Sequence, residues 1–269
     1  MRKRTLLITC ALAILFVAVA SAHNLFLKLD DYFVAAGAQL RIAVLNGTFT
    51  SSEAALTSDR LVDISVVGPE GRTKLDTAAW TVGENASALT IRTGNPGTYV
   101  VGVSTLPRPI SLAAADFNEY LEHDGIPDVL AARTKSGELG KNVVEYYQKH
   151  VKTLFQVGTE QSASFSTVLE YPAEIVPLEN PYNLRVGDRL RVRCLVDGRA
   201  VSNQFVVAGG EQGGVAITER TTRSDDDGVA TFVIDSPGKW YIQFIHMIPS
   251  SSTEWNYESK WATLTFAVR

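Results

Sequence analysis

The sequence predicts a mainly β protein: two antiparallel β-sandwich segments with a helical insertion between them. Three observations carry this reading. Short runs alternating apolar and polar residues recur on both sides of the chain's middle. Turn clusters such as Asn46-Gly47, Gly68-Pro69-Glu70-Gly71 and Gly94-Asn95-Pro96-Gly97 separate these runs at the short intervals of an antiparallel sandwich. From about 111 to 158 the apolar spacing reads as helical. The expected division is an export signal over 1–22, a first sandwich over 23–110, a helical insertion over 111–160 and a second sandwich over 161–269.

The first element is Met1-Arg2-Lys3-Arg4 followed by the apolar stretch Leu6 to Ala20 and the small residues Ala20-Ser21-Ala22. This is the layout of a cleaved export signal. Its apolar run, about 15 residues, is short of the roughly 18–20 that a membrane span needs. A cut after Ala22 would make His23 the first residue of a periplasmic or secreted protein.

The strand His23 to Asp30 then places Leu25, Leu27 and Leu29 on one face, opposite Asn24 and Lys28. Ala38 to Leu45, Leu61 to Val67, Ala88 to Arg92 and Thr98 to Val103 continue the pattern. In the middle segment, Ser111 is placed to cap a helix from about Leu112 to Glu122 with the stripe Phe117, Tyr120 and Leu121. Pro127 opens a second turn. The periodicity of Val143, Val144, Tyr147, Val151, Leu154 and Phe155 predicts a third, amphipathic helix over Lys141 to Val157, stopped by Gly158.

Pro172 to Pro181 reads as an extended connector. Beyond it, Cys194 shares parity with Leu190, Val192 and Val196 and should point into a core as an inert thiol. Asp225-Asp226-Asp227-Gly228 lacks the alternating ligands of a calcium loop and reads as a hairpin turn. Gly238 to Met247 is a long strand in which His246 continues the row Trp240, Ile242, Phe244. The loop Pro249 to Trp261 holds three aromatics in seven residues, more than a flexible linker requires.

Composition narrows the function classes. Removing the three signal cations leaves 22 basic against 29 acidic residues, a poor match for nucleic acid. No phosphate loop, H-E-x-x-H motif or Ser-His-Asp or Cys-His arrangement supports a hydrolytic enzyme, and the expectation is a non-enzyme. A chain beginning at His23 would instead present an α-amine beside an imidazole, a pair able to close a chelate ring on a divalent metal. His246, with the acids of the aromatic loop, is the nearest second ligand set. Nitrogen and carboxylate donors suit nickel, cobalt, copper or zinc, while Cu(I) is disfavoured because Met247 would be the only methionine left.

Several motifs together resemble a large bacterial family of exported proteins classed as a domain of unknown function. They are Ala22-His23 before an apolar strand, Tyr146-Tyr147 to Gly158, Glu174 to Pro181 with Arg185 to Leu190, Asp227-Gly228, Gly238-Lys239-Trp240, His246-Met247 and Glu258 to Phe266. Members are often labelled periplasmic components of cobalt or nickel uptake systems. The resemblance implies an immunoglobulin-like second part and a membrane metal-transport system as partner, and it singles out His23, His246 and Glu258, which fall in matching motifs. The expected function is reversible binding of nickel, cobalt or copper by His23, His246 and Glu258. The alternative is a metal-free envelope protein-interaction or adhesion module.

Overall fold

A computed structural model describes residues 23–269; the export signal expected over 1–22 lies outside the described residues. In chain order the strands are β1 (Asn24–Lys28), β2 (Phe33–Val34), β3 (Gln39–Gly47), β4 (Leu61–Gly68), β5 (Gly71–Lys74), β6 (Trp80–Val82), β7 (Ser87–Arg92), β8 (Gly97–Thr105) and β9 (Arg108–Leu112). Helices α1 (Ala114–His123) and α2 (Pro127–Ser136) follow. The chain then continues through β10 (Val143–Val157), β11 (Ala173–Pro177), β12 (Arg189–Val196), β13 (Arg199–Ala200), β14 (Phe205–Gln212), β15 (Val215–Arg223), β16 (Val229–Val233), β17 (Gly238–Pro249) and β18 (Tyr257–Val268).

One ten-stranded sheet organises the molecule. Its order is β15-β14-β17-β18-β10-β8-β4-β5, with β2 and β9 also paired to β10. It therefore takes strands from both β-rich halves of the sequence. A four-stranded sheet β1-β3-β7-β6 covers one face, packing Leu25, Leu27, Ile42, Val44 and Leu89 on Val101, Val103, Val151 and Phe155. A second four-stranded sheet, formed by β11, β12, β13 and β16, covers the other, where Leu190, Val192, Cys194 and Phe232 meet Trp240, Ile242, Phe244, Leu264 and Phe266. The protein is thus mainly β and mainly antiparallel, as its turns and alternation predict, with the two sandwiches sharing their central layer.

The third predicted helix is not formed: Val143 to Val157 is β10, the longest strand among the described residues. It pairs antiparallel with β8 and β9 and parallel with β18. Burial on both faces explains the misreading, since apolar side chains needed on both sides fill a stretch densely enough to imitate a helical stripe. Its Val, Tyr, Thr and Phe content suits a strand. The helical insertion is accordingly confined to α1 and α2. In α1 the stripe Phe117, Tyr120 and Leu121 is buried as predicted, under Tyr257 and Trp261. Ser111 lies in β9, and the first turn of α1 is met by Asn142, whose Oδ1 accepts from the Ala114 amide at 3.0 Å. Pro127 opens α2 and Gly137, at φ 71°, ends it.

Other expectations are realised locally. Cys194 is fully buried, which pushes its thiol up to about 12 and keeps it unreactive. The Asp225 carboxylate accepts from the Asp227 and Val229 amides at 3.0 and 2.8 Å, closing a turn at Gly228, φ 74°. The turn is not the expected hairpin, however: it passes from β15 of the central sheet to β16, which pairs with β12 in the covering sheet. In the aromatic loop Trp255 stacks on Tyr146 with centroids 4.3 Å apart.

At Gly210, opposite Trp240 beside an irregularity in the β14–β17–β15 ladder, the two backbones come together too closely for a side chain. A Cβ there would run into the Lys239 carbonyl and stand 3.0 Å from the Trp240 Cα. Gly210→Ala is expected to cost about 1–3 kcal/mol, read from urea denaturation; an unchanged midpoint would show that the strands can part without loss.

Candidate functional site

His23 is held where the chain enters β1. Thr263 and Thr265 of β18 donate their hydroxyls to the Leu25 and Leu27 carbonyls at 2.8 and 2.5 Å, fastening β1 across the central sheet. The Lys149 ammonium donates to the His23 carbonyl and, at 3.1 Å, to Asn46 Oδ1. The imidazole Nε2 lies 3.0 Å from Glu53 Oε2. An ionised carboxylate only accepts, so this contact puts the ring hydrogen of neutral His23 on Nε2 and leaves Nδ1 with its lone pair. Burial lowers the imidazole pKa, with Glu53 opposing and Lys149 adding to the fall. A neutral ring is therefore the dominant form at pH 7.

Beside His23 opens a cavity of about 250 Å³ lined also by Asn24, Phe26, Phe49, His123, Asp124, Glu219, Tyr241 and Gln243. Asp124, at the end of α1, accepts from Asn24 Nδ2 at 3.0 Å, and burial pushes its carboxyl up to about 7. Burial likewise pulls Lys149 down to about 7, with Arg60 adding to the fall and Glu145 and Asp124 opposing it. Glu145 is raised by the same cause although Tyr120, at 3.1 Å, and Ser259 donate to it. A lysine and two carboxyl groups, each with its proton affinity shifted by burial, thus lie near enough to act on one another.

His246 lies elsewhere. Gln204 Nε2 is committed to the Phe205 and Ile245 carbonyls, each at 3.1 Å, so its Oε1 faces His246 Nδ1 at 3.0 Å. His246 therefore carries its hydrogen on Nδ1 and an open lone pair on Nε2. Burial lowers its pKa, Lys260 across the ladder lowers it further, and Asp197 opposes. Glu258 accepts from Trp255 Nε1 at 3.0 Å and Ser250 Oγ at 2.7 Å, bonds that hold its carboxyl below the usual range.

Strand parity separates the expected ligands. Tyr241 and Gln243, at odd positions of β17, line the cavity of His23. Even positions Trp240, Ile242 and Phe244 face the opposite layer, and His246 follows them. Glu258 shares that face, two positions from Lys260, the cross-strand partner of His246. The central sheet therefore runs between His23 and the other two, and the shared shell expected from the sequence is not formed. Among the described residues no group of three or more His, Cys, Asp or Glu side chains is placed to hold a metal. Glu53, Lys149, Asp124 and Gln204 were not singled out from the sequence. They reach the two histidines only through folding and carry no local motif.

Residues 20–248 match the family described as "Domain of unknown function (DUF4198)". The chain belongs to this family. No curated protein matches the DUF4198 chain. Among solved structures, it is similar to a DUF4785 family protein from Legionella pneumophila at 11% identity and TM-score 0.26, covering 81% of this chain and 52% of that one. It thus spans about half the length of the Legionella protein. The D0-D1 domain of intimin aligns at 14% identity and TM-score 0.20, covering 90% and 97% of the two chains. Escherichia coli alpha-2-macroglobulin activated by porcine elastase aligns at 10% and 0.23, covering 90% of this chain and 20% of that one. No helix among the described residues is long and apolar enough to cross a membrane.

Proposed function

We propose that this DUF4198 protein, exported and cut after Ala22, reversibly captures a divalent transition metal (nickel, cobalt or copper) at His23, as an accessory to metal uptake. The α-amine and His23 Nδ1 would hold the ion in one chelate ring. The Glu53 contact carries the reading: it holds the hydrogen on Nε2, so the nitrogen left open is the one that can close a ring with the amine of the same residue. Lys149 steadies the carbonyl of that residue. The depressed imidazole pKa means that no ring proton must be displaced near neutrality, whereas the amine, with an ordinary value of about 7.7–8, gives up a proton at a cost of about 1 kcal/mol. The metal brings Lewis acidity and fast ligand exchange; the protein brings a fixed tautomer.

Calorimetric titration of protein beginning at His23 with Ni(II), Co(II) and Cu(II) tests this. One equivalent should bind, about 100-fold more weakly after His23→Ala or after acetylation of the α-amine, and about 10-fold more weakly after Glu53→Gln. His246→Ala should bind as the parent does. Equal affinity with the blocked amine would overturn the proposed chelate, and no heat with any of the three ions would leave the metal-free interaction module as the better reading.

A further inference from the structure

The cavity beside His23 is lined by two amide side chains whose oxygens are tucked out of solvent with nothing donating to them among the described residues. Asn24 Oδ1 and Gln243 Oε1 are both buried without a hydrogen-bond partner among the described residues, and both residues line that one space of about 250 Å³. Gln243 is only 5% exposed, at a position of β17 where an apolar side chain would have met no polar penalty. A buried acceptor left unmet is costly, and its retention points to a donor that arrives from outside. Half a turn of the Gln243 amide presents its oxygen to the cavity with no oxygen bond to break.

The rest of the lining agrees on the sign of that donor. Asp124 and Glu219 keep spare acceptor capacity even after Asn24 and Tyr241 donate to them, and an arriving cation favours the ionised form of Asp124, whose carboxyl burial pushes up to about 7. The two lysine side chains nearby are already engaged: Lys28 pairs with Glu211 at 2.9 Å, and Lys149 holds the His23 carbonyl and Asn46. The walls are hydrocarbon, because Phe26, Phe49 and Tyr241 pack with ring centroids 5.1–5.4 Å apart. A hydrated metal ion would press its water shell against those rings. An alkylammonium presents N–H donors at one end and carbon at the other, and cations sit well over aromatic faces, as the Lys28 ammonium does 4.5 Å above Phe49.

We propose that this cavity binds a small organic ammonium ion, its head on Asp124, Glu219 and the turned amide of Gln243 and its carbon chain against Phe26, Phe49 and Tyr241. None of these groups is needed to form the chelate at His23, and although His23 lines the same cavity the two proposals are tested separately.

The test uses protein kept in chelator, so that failure of metal capture and failure of this proposal are read separately. Butylammonium and its neutral counterpart 1-butanol are titrated and followed by side-chain amide and aromatic NMR shifts. Butylammonium should saturate the shifts of Gln243 and Tyr241, with 1-butanol at least about 10-fold weaker. Asp124→Asn should weaken butylammonium about 10-fold, the worth of one charge-assisted bond. Gln243→Leu should weaken it severalfold while melting no lower than the parent, because the amide oxygen it removes is unpaired. Equal affinity for the alcohol, no saturation by butylammonium at tens of millimolar, or parental affinity in both folded variants would overturn the proposal.

Discussion

Lys152→Met is expected to destabilise the protein by about 3–5 kcal/mol, the usual consequence of stranding one member of a buried ion pair. Lys152 Nζ lies 2.9 Å from Glu174 Oε2, with side chains 3% and 1% exposed. Burial lowers the lysine pKa and Glu174 works against that fall. The carboxylate also accepts from the Leu169 and Tyr171 amides at 2.9 and 2.8 Å, so the turn containing Glu170, at φ 64°, is wrapped around it. The pair therefore joins β10 of the central sheet to β11 of the covering sheet at the middle of the second core. Removing the ammonium would leave a carboxylate in hydrocarbon, held there by its two amide donors. Lys141–Glu138, an exposed pair with the same 2.9 Å separation, should by contrast contribute no more than about 1 kcal/mol. Urea denaturation of both lysine variants measures the difference. A loss below about 1 kcal/mol for Lys152→Met would mean that the buried pair contributes no more than an exposed one.

How far the molecule could be read from its residues depends on which physical quantity each pattern reports. Alternation and turn chemistry report which way side chains face, and they located most strands, the buried stripe of α1 and the inward Cys194. The same alternation placed His246 in the row of Trp240, Ile242 and Phe244. What it cannot report is the partner. β10 pairs in parallel with β18 more than a hundred positions away, and no residue in Val143 to Val157 encodes that choice. Burial on both faces then erased the period of two and left a false period near 3.6. The separation of His23 from His246 has the same origin. Each histidine's facing was legible, but the layer that covers each face was not. Glu53 meets His23 because the tight return after Gly47, where a Cβ would stand 2.6 Å from the Ser51 carbonyl, folds the following loop back on the start of β1.

Between pH 7 and pH 5, His150 is expected to withdraw about 2 kcal/mol of stability. The ring is 1% exposed on β10, its Nδ1 lies 2.9 Å from Ser104 Oγ, and its Nε2 has no partner among the described residues. Burial pulls its pKa down to about 3, with Lys260 adding to the fall and Asp197 opposing it. A group whose folded value lies below its unfolded value of about 6.5 is neutral in the native state and charged in the acid-unfolded chain. Its contribution is therefore whole above pH 6.5 and drains away as pH falls toward 3. Asp124 acts in the opposite sense, because its folded value near 7 exceeds the unfolded 3.8; its contribution is whole below 3.8 and is lost as pH rises through 7. Lys149, lowered from 10.5 to about 7, changes stability mainly above pH 7, outside this window. The whole-protein curve is thus a difference of opposed terms, and a variant isolates the histidine. His150→Asn keeps a group able to bond Ser104 but cannot gain a proton, so the gap between parent and variant should move by about 2 kcal/mol in the variant's favour from pH 7 to pH 5. Parallel stability curves over that range would show that His150 takes up its proton in the folded protein as easily as in the unfolded chain, and that the second core admits a charge where its packing says it should not.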